Sequence, residues 1–397
     1  MVAALTRLFG AKHVELAEDI VQETLLKAMH EWPYHGVPDV PAAWLHRVAR
    51  NLAIDRLRRE SRGLELLKEN AALLRSEWTL SSTVNEMLNA PSIADDQLRM
   101  MFACCHPSLP REQQVALALK TLCGFGVPEI ARAFVVSEET INKRLYRARE
   151  AFRALGSIEF PPPSELAPRL EHVLATIYLL FNEGYNSTSH QHLIREDLIE
   201  EALRLCDLLT RNATTDRGEV HALLALMLYH AARSATRIDA DGSIVLLREQ
   251  DRSKWDGELI ALADHHLDRA VAGQAMSMYH VEAAIAAVHA HAATFASTDW
   301  RAIIGLYDQL LRLNPSPVVQ FNRAIAVAQA DGSAAGALAL EAVKGMEGSH
   351  LYHAARGDLL RDQGRVDEAR AAYTLAATLT RSPAQNELLR RKQDACG

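Results

Sequence analysis

Apolar residues in this chain recur at helical spacing and β-rich runs are absent, which predicts an all-α protein. Between Trp44 and Glu60, Leu45, Val48, Leu52 and Leu57 line one helix face. The other face carries Arg47, Arg50, Arg56, Arg58, Arg59 and Arg62, opposed by Asp55 and Glu60. Residues 1–31 read as two helices. In the second, Leu16, Ile20 and Leu25 fall inward and Asp19, Gln22 and Glu23 outward. Gly36, Pro38 and Pro41 make Tyr34–Pro41 a loop. Leu64–Trp78 reads as helix, and the polar stretch from Leu80 to Asp96, with Ser81, Ser82, Thr83 and Pro91, reads as a linker.

Guanidinium forks pair with phosphate oxygens bidentately, so six arginines within sixteen residues suit a polyanion. A charge run alone equally describes a solvated helix face. A second basic helix shifts that balance. In Val127–Arg149, Pro128 sits where a helix starts, Ile130 and Phe134 face inward, and Ala131 is small where two helices cross. Ser137 is an N-cap, followed by Glu138, Glu139 and Thr140 at the positive end of the next helix. Ile141 and Leu145 pack that helix back and leave Asn142, Lys143, Arg144, Arg147 and Arg149 outward. A short helix, a tight turn and a second helix with a polar basic face are the grammar of a helix-turn-helix, which fits a major groove. Val135 stands in the turn, where glycine would ease the backbone.

Pro161, Pro162, Pro163 and Pro168 predict a stiff hinge over 157–168. Residues 169–397 are helical and repetitive. Trp300, Ile303, Tyr307, Leu310 and Pro315 match the second helix and closing proline of a tetratricopeptide (TPR) repeat, and Gly357, Gly364, Ala369, Tyr373 and Ala376 match another. Tyr307 and Tyr373 lie 66 residues apart, close to two periods, with a degenerate copy around Ala337. Such repeats stack into a solenoid with a concave face for a peptide or protein. One segment, Asp239–Asp256, breaks the pattern with a turn at Asp241-Gly242, an apolar run and then a charged stretch holding Asp251, Arg252, Trp255 and Asp256. It reads as a structured loop offering a regulatory contact. The predicted domains are therefore 1–62, 99–156 and 169–397, joined by 63–98 and 157–168.

A length of 397 residues fits about two to four domains. The net charge of −7 arises wholly after residue 160, since residues 1–160 hold 20 basic and 20 acidic side chains. The second half is thus a poor nucleic-acid surface. Five cysteines without framework spacing argue for a reducing compartment. Adjacent Cys104 and Cys105 fit tetrahedral metal geometry badly and read as packed thiols. The histidines, twelve of seventeen after residue 160 and including His289 and His291, read as scattered core or surface groups. No apolar run reaches the ~18 residues of a membrane span, and no export signal opens the chain, so a cytoplasmic protein is expected. No nucleophile–base or metal-ligand constellation stands out, so neither enzymatic activity nor a cofactor is expected.

With both basic helices placed, residues 15–60 resemble region two, and 95–155 region four, of bacterial extracytoplasmic-function (ECF) sigma factors of the sigma-70 family. The acidic helix, the basic helix led by Trp44 and ending Ala53-Ile54-Asp55-Arg56-Leu57-Arg58-Arg59, and the helix-turn-helix occur in the expected order. Asp95–Arg99, Cys104–Pro107 and Asp241–Asp256 look like the subgroup with a TPR extension. The resemblance implies that Asp19, Gln22 and Glu23 meet the polymerase clamp, with further contact at the flap. It implies that the loop Tyr34–Pro41, with Asn51 from the helix, captures a flipped base of the minus-ten element, and that Tyr34, His35 and Trp44 are among the residues that meet DNA. Arg47, Arg50, Arg56, Arg58 and Arg59 would hold nearby phosphates. Ser137, Glu139, Thr140, Asn142, Lys143, Arg144 and Arg147 would meet the minus-thirty-five groove. The partners implied are core RNA polymerase, promoter DNA and a protein on the TPR-like domain. The family usually carries a further helical stretch before the position of Val2, which implies a shortened start. The alternative left open by the residues is an operator-binding regulator with a TPR sensor.

Overall fold

The computed structural model describes residues 1–60, 90–134, 136–154, 161–185, 194–239, 241, 243–272, 276–380 and 382–396. Among these residues the chain is helical, with one isolated antiparallel bridge between Ile238 and Ile244. It divides into two compact units, Met1–Leu179 and Leu180–Gly397.

The first unit contains α1 (Val2–Phe9), α2 (Val14–His35), α3 (Pro41–Glu60), α4 (Ala90–Cys104), α5 (Arg111–Thr121), α6 (Val127–Ala133) and α7 (Glu138–Ala154). It also holds most of α8 (Pro163–Tyr185). Two cores meet along α1. Leu5 and Phe9 pack with Ala17 and Ile20 of α2 and with Ala49 and Ala53 of α3. Ala3, with Ala11 and Val14, packs into a second core with Met100, Cys104, Leu117, Ala148 and Phe152. The elements before residue 60 and those after residue 90 thus share apolar burial, the main favourable term in folding.

Four boundaries differ from the sequence pattern, each where a proline is accommodated in a helix. Helix α2 continues through Pro33 to His35, so the predicted loop Tyr34–Pro41 shrinks to Gly36–Val40. Its stop is Gly36, whose φ of +79° suits only glycine and whose N–H donates to Trp32. Pro41 opens α3 rather than closing a loop, because a first-turn residue needs no amide hydrogen. For the same reason α4 starts at Ala90, with Pro91 in its first turn, inside the stretch read as a linker. Helix α8 likewise starts at Pro163, inside the stretch read as a hinge. The predicted helix from Leu64 to Trp78, and Val135 of the turn, lie outside the described residues.

The second unit runs through α9 (Glu196–Thr210), α10 (Gly218–Ala231), α11 (Gly257–Val271), α12 (Met278–His291), α13 (Trp300–Leu313), α14 (Pro317–Asp331), α15 (Ser333–Glu341), α16 (His350–Asp362), α17 (Val366–Leu379) and α18 (Pro383–Asp394). Chain neighbours pack: α13 on α14, α14 on α15, α16 on α17, α17 on α18. Gly357 shows why a small residue is needed at one crossing. A Cβ there would sit 2.5 Å from the Tyr373 ring. Among the described residues no helix is long and apolar enough to cross a membrane.

Candidate nucleic-acid interface

Trp44, one turn into α3, packs edge-on against Trp32 near the end of α2, with centroids 5.5 Å apart. That contact fixes α3 beside the short loop. Arg47 and Asn51 are exposed one turn apart on α3. Arg50 donates to Asn51 Oδ1 at 3.0 and 3.2 Å, which orients the amide. Arg56 stands 3.9 Å from Glu23. The core side of α3 is made by Ala49 and Ala53, while Leu45, Val48 and Leu52 are half-buried. The side chains of Leu57, Arg58 and Arg59 lie outside the description, as does Arg62. Tyr34 and His35 are exposed at the end of α2, with Tyr34 against His30.

On α2 the inward line is Ile20, Thr24 and Ala28. Asp19 and Gln22 are exposed and Glu23 is half-buried. Leu25, expected inward, is exposed, because it falls off that line. Leu26 and Met29 are exposed as well, at 63% and 73%. The acidic face follows the sequence pattern; the bare apolar side chains flanking it add a protein-docking signal that the pattern did not yield. Extending the Ile20–Thr24–Ala28 line would have exposed it.

In the helix-turn-helix, Ser137 Oγ accepts the Thr140 N–H at 3.1 Å and caps α7. Glu129 accepts the Gly126 N–H at 2.6 Å ahead of α6. Ile141, Leu145, Ala148 and Phe152 form the buried stripe of α7. Asn142, Lys143 and Arg147 are exposed, and Tyr146, which the charge pattern does not mark, is exposed beside them. Lys143 pairs with Glu139 one turn back at 2.7 Å.

Two arginines expected outward are turned inward. Arg144 pairs with Glu112 of α5 at 2.7 Å and is mostly covered. Arg149 pairs at 2.5 Å with Glu18, which is buried between α2 and α7. Burial raises the Glu18 carboxyl above its ordinary value, and the Arg149 guanidinium opposes that rise. Arg153, one turn on, pairs with Glu15 at 2.6 Å, and Arg7 of α1 pairs with buried Asp96 of α4 at 2.9 Å. Arg149 and Arg153 flank the apolar stripe of α7, so a contact on that stripe draws them in. Cys104 and Cys105 are buried free thiols; Cys104 lies 3.2 Å from Thr121 Oγ1. Desolvation raises both thiols, Cys105 to about 12.

An antiparallel bridge between Ile238 and Ile244 lies at the start of the Asp239–Asp256 segment, and a strap follows it. Asp239 Oδ1 accepts the N–H groups of Asp241 and Ser243. Gly242 lies outside the described residues. Arg252, expected as a surface contact, is an internal anchor, donating to the carbonyls of His289 and Ala292 at 2.7 and 2.6 Å. Trp255 is buried, with the Arg252 guanidinium 5.0 Å from its ring. Asp251 accepts from Ser253, and Asp256 caps α11. Non-local carbonyls, invisible in a linear pattern, capture Arg252, while Asp251 and Asp256 are held by local donors.

Residues 1–63 match sigma-70 region 2, and residues 99–152 match sigma-70 region 4. Residues 169–271 match a family of unknown function, DUF6596. The chain is 40% identical to an uncharacterized protein of Rhizobium meliloti over 99% of its own length and 92% of that relative. It is 31% identical to the ECF RNA polymerase sigma factor SigL of Mycobacterium tuberculosis, over 34% of this chain and 72% of SigL. The sigma factor SigW of Bacillus subtilis is 26% identical, over 37% of this chain and 78% of SigW. No solved structure matches.

Proposed function

The chain belongs to the ECF RNA polymerase sigma factors, carrying sigma-70 regions 2 and 4 and a C-terminal extension, and from that membership we propose how its surfaces divide the work. As a sigma factor it directs transcription initiation and is not an enzyme. In our reading, core polymerase takes the outer face of α2. Asp19, Gln22 and Glu23 supply charge there, and Leu26 and Met29 supply apolar area. Arg47, Arg50 and Arg56 follow the phosphates of the melted strand, with Arg58 and Arg59 continuing the row. Asn51, Trp44, Tyr34 and His35 receive an unstacked base of the minus-ten element. Asn142, Lys143 and Arg147, with Tyr146 beside them, enter the minus-thirty-five groove. Ser137 and Thr140 hold the turn, and Arg144 braces α7 through Glu112.

One observation carries this reading: Asn142, Lys143 and Arg147 stand exposed on α7, opposite the stripe that seats it. A second sets its order of events. Regions 2 and 4 share a core and the Glu18–Arg149 pair. Two modules bound to separate promoter elements cannot keep a common core, so binding polymerase separates them. In this reading the chain acts in the cytoplasm, where the polymerase is.

The C-terminal part is TPR-like in this reading, supported by Tyr307 and Tyr373 at twice the repeat period and by neighbour-to-neighbour helix packing. It regulates the factor through a protein partner. Run-off transcription with core polymerase tests both parts. A chain ending after Tyr185 keeps α8, whose Thr176 donates to Gln114 of region 4. Higher transcription from that chain assigns restraint to the extension, lower transcription assigns support, and unchanged transcription removes the regulatory role.

A further inference from the structure

The second unit contains a cavity of about 360 Å³, a size that encloses a small organic ligand. One wall is aromatic. Trp300 packs edge-on against both His289 and Phe295, at 5.2 and 5.1 Å, and Tyr307 and Phe321 continue the lining. The facing wall is the strap, through Leu246, Leu247 and Arg248. The strap is pinned on both sides: Arg391 donates to the Ile244 carbonyl at 3.2 Å, and Arg252 is anchored as described. A wall held this way needs little ordering when a ligand enters.

The polar groups of the lining decide what charge fits. Asp358 is already paired, receiving Lys392 Nζ at 2.6 and 2.9 Å and the Tyr373 hydroxyl at 2.7 Å. Asp362 is 3.3 Å from Arg361. Arg248 has no ion-pair partner, and the Asn322 side chain no hydrogen bond, among the described residues. His289 Nδ1 is buried with no partner. Burial, reinforced by Arg233 and Arg252, lowers that imidazole to about 4, so it is neutral. The acids are matched and one cation is not.

We propose that this cavity binds a small amphipathic molecule, its flat apolar body against Trp300, Phe295 and Tyr307 and a single carboxylate directed to Arg248. Arginine holds a carboxylate through two parallel hydrogen bonds, and flat rings stack favourably on an aromatic wall. The site lies away from both DNA-binding modules in sequence, so the ligand is a signal rather than a substrate.

The full-length protein is titrated with 2-naphthoate, 2-naphthamide and 2-naphthylmethylamine by calorimetry. Saturable binding of the acid, roughly five- to tenfold tighter than the amide and with the amine weakest, is expected. Arg248→Gln, at an exposed position, makes acid and amide equal. Ala355→Leu, which puts bulk into the lining, weakens all three. Absence of saturable binding, preference for the amine, or an acid preference that survives Arg248→Gln overturns the proposal.

Discussion

Arg149 of α7 reaches Glu18 of α2 at 2.5 Å, so the helix that exposes Asn142, Lys143 and Arg147 also carries a clasp onto region 2. The buried member is the carboxylate, and removing its partner leaves a desolvated charge. Arg149→Ala should therefore lower the stability of the first unit by about 1–3 kcal/mol. Urea unfolding checks it. Glu18→Gln, which removes the charge, should cost less than Arg149→Ala.

The outward row of α7 makes a separable prediction. Arg147→Ala should weaken promoter binding by the assembled holoenzyme by about 1–3 kcal/mol and leave its affinity for core polymerase unchanged. Arg144→Ala should act chiefly on the fold, through the lost Glu112 pair. Filter binding with promoter DNA, beside a melt of each variant, distinguishes the two.

Leu26→Asp and Met29→Asp put charge on the bare apolar positions of α2. Each should weaken core polymerase binding by about 1–3 kcal/mol, without changing the thermal midpoint of the free protein. Pull-down against core enzyme, with Leu262→Asp as an exposed control in the second unit, reads the effect.

Much of this was legible in the sequence because it is local. Ser137 capping α7, and Ile141 and Leu145 seating it, follow from spacing alone. Proline was over-read as a breaker: Pro41, Pro91 and Pro163 all fall in first turns, where no amide hydrogen is missed. The inward turns of Arg144, Arg149 and Arg252 depend on Glu112, Glu18 and the His289 carbonyl, all distant along the chain. Periodicity places a side chain on a face; it does not say what that face will meet.

At Gly357 the packing leaves no space for a methyl group. Gly357→Ala drives a Cβ into the Tyr373 ring and should destabilise the second unit by about 1–3 kcal/mol, despite the better helix propensity of alanine. A lower thermal midpoint is the expected result.

Glu183 in α8 supplies the pH dependence. Desolvation raises its carboxyl to about 7, against an ordinary value of 4.5. The folded state holds the proton more tightly, so this contribution is fully present below pH 4.5 and is lost as pH rises to about 7. Solvent screening of the partly exposed carboxyl holds the loss to about 1–2 kcal/mol. Glu183→Gln should flatten that part of the stability profile, measured by urea unfolding between pH 5 and 8.

The central claim is that this chain directs initiation only as part of a polymerase, with the α7 row reading the promoter. Run-off transcription with core enzyme on a promoter selected by the wild-type protein tests it most directly. Transcripts with wild-type protein and almost none with Arg147→Glu, at equal occupancy of the core enzyme, are the predicted result. Wild-type protein that binds core enzyme and yields no transcript, or full transcription from Arg147→Glu, would contradict it.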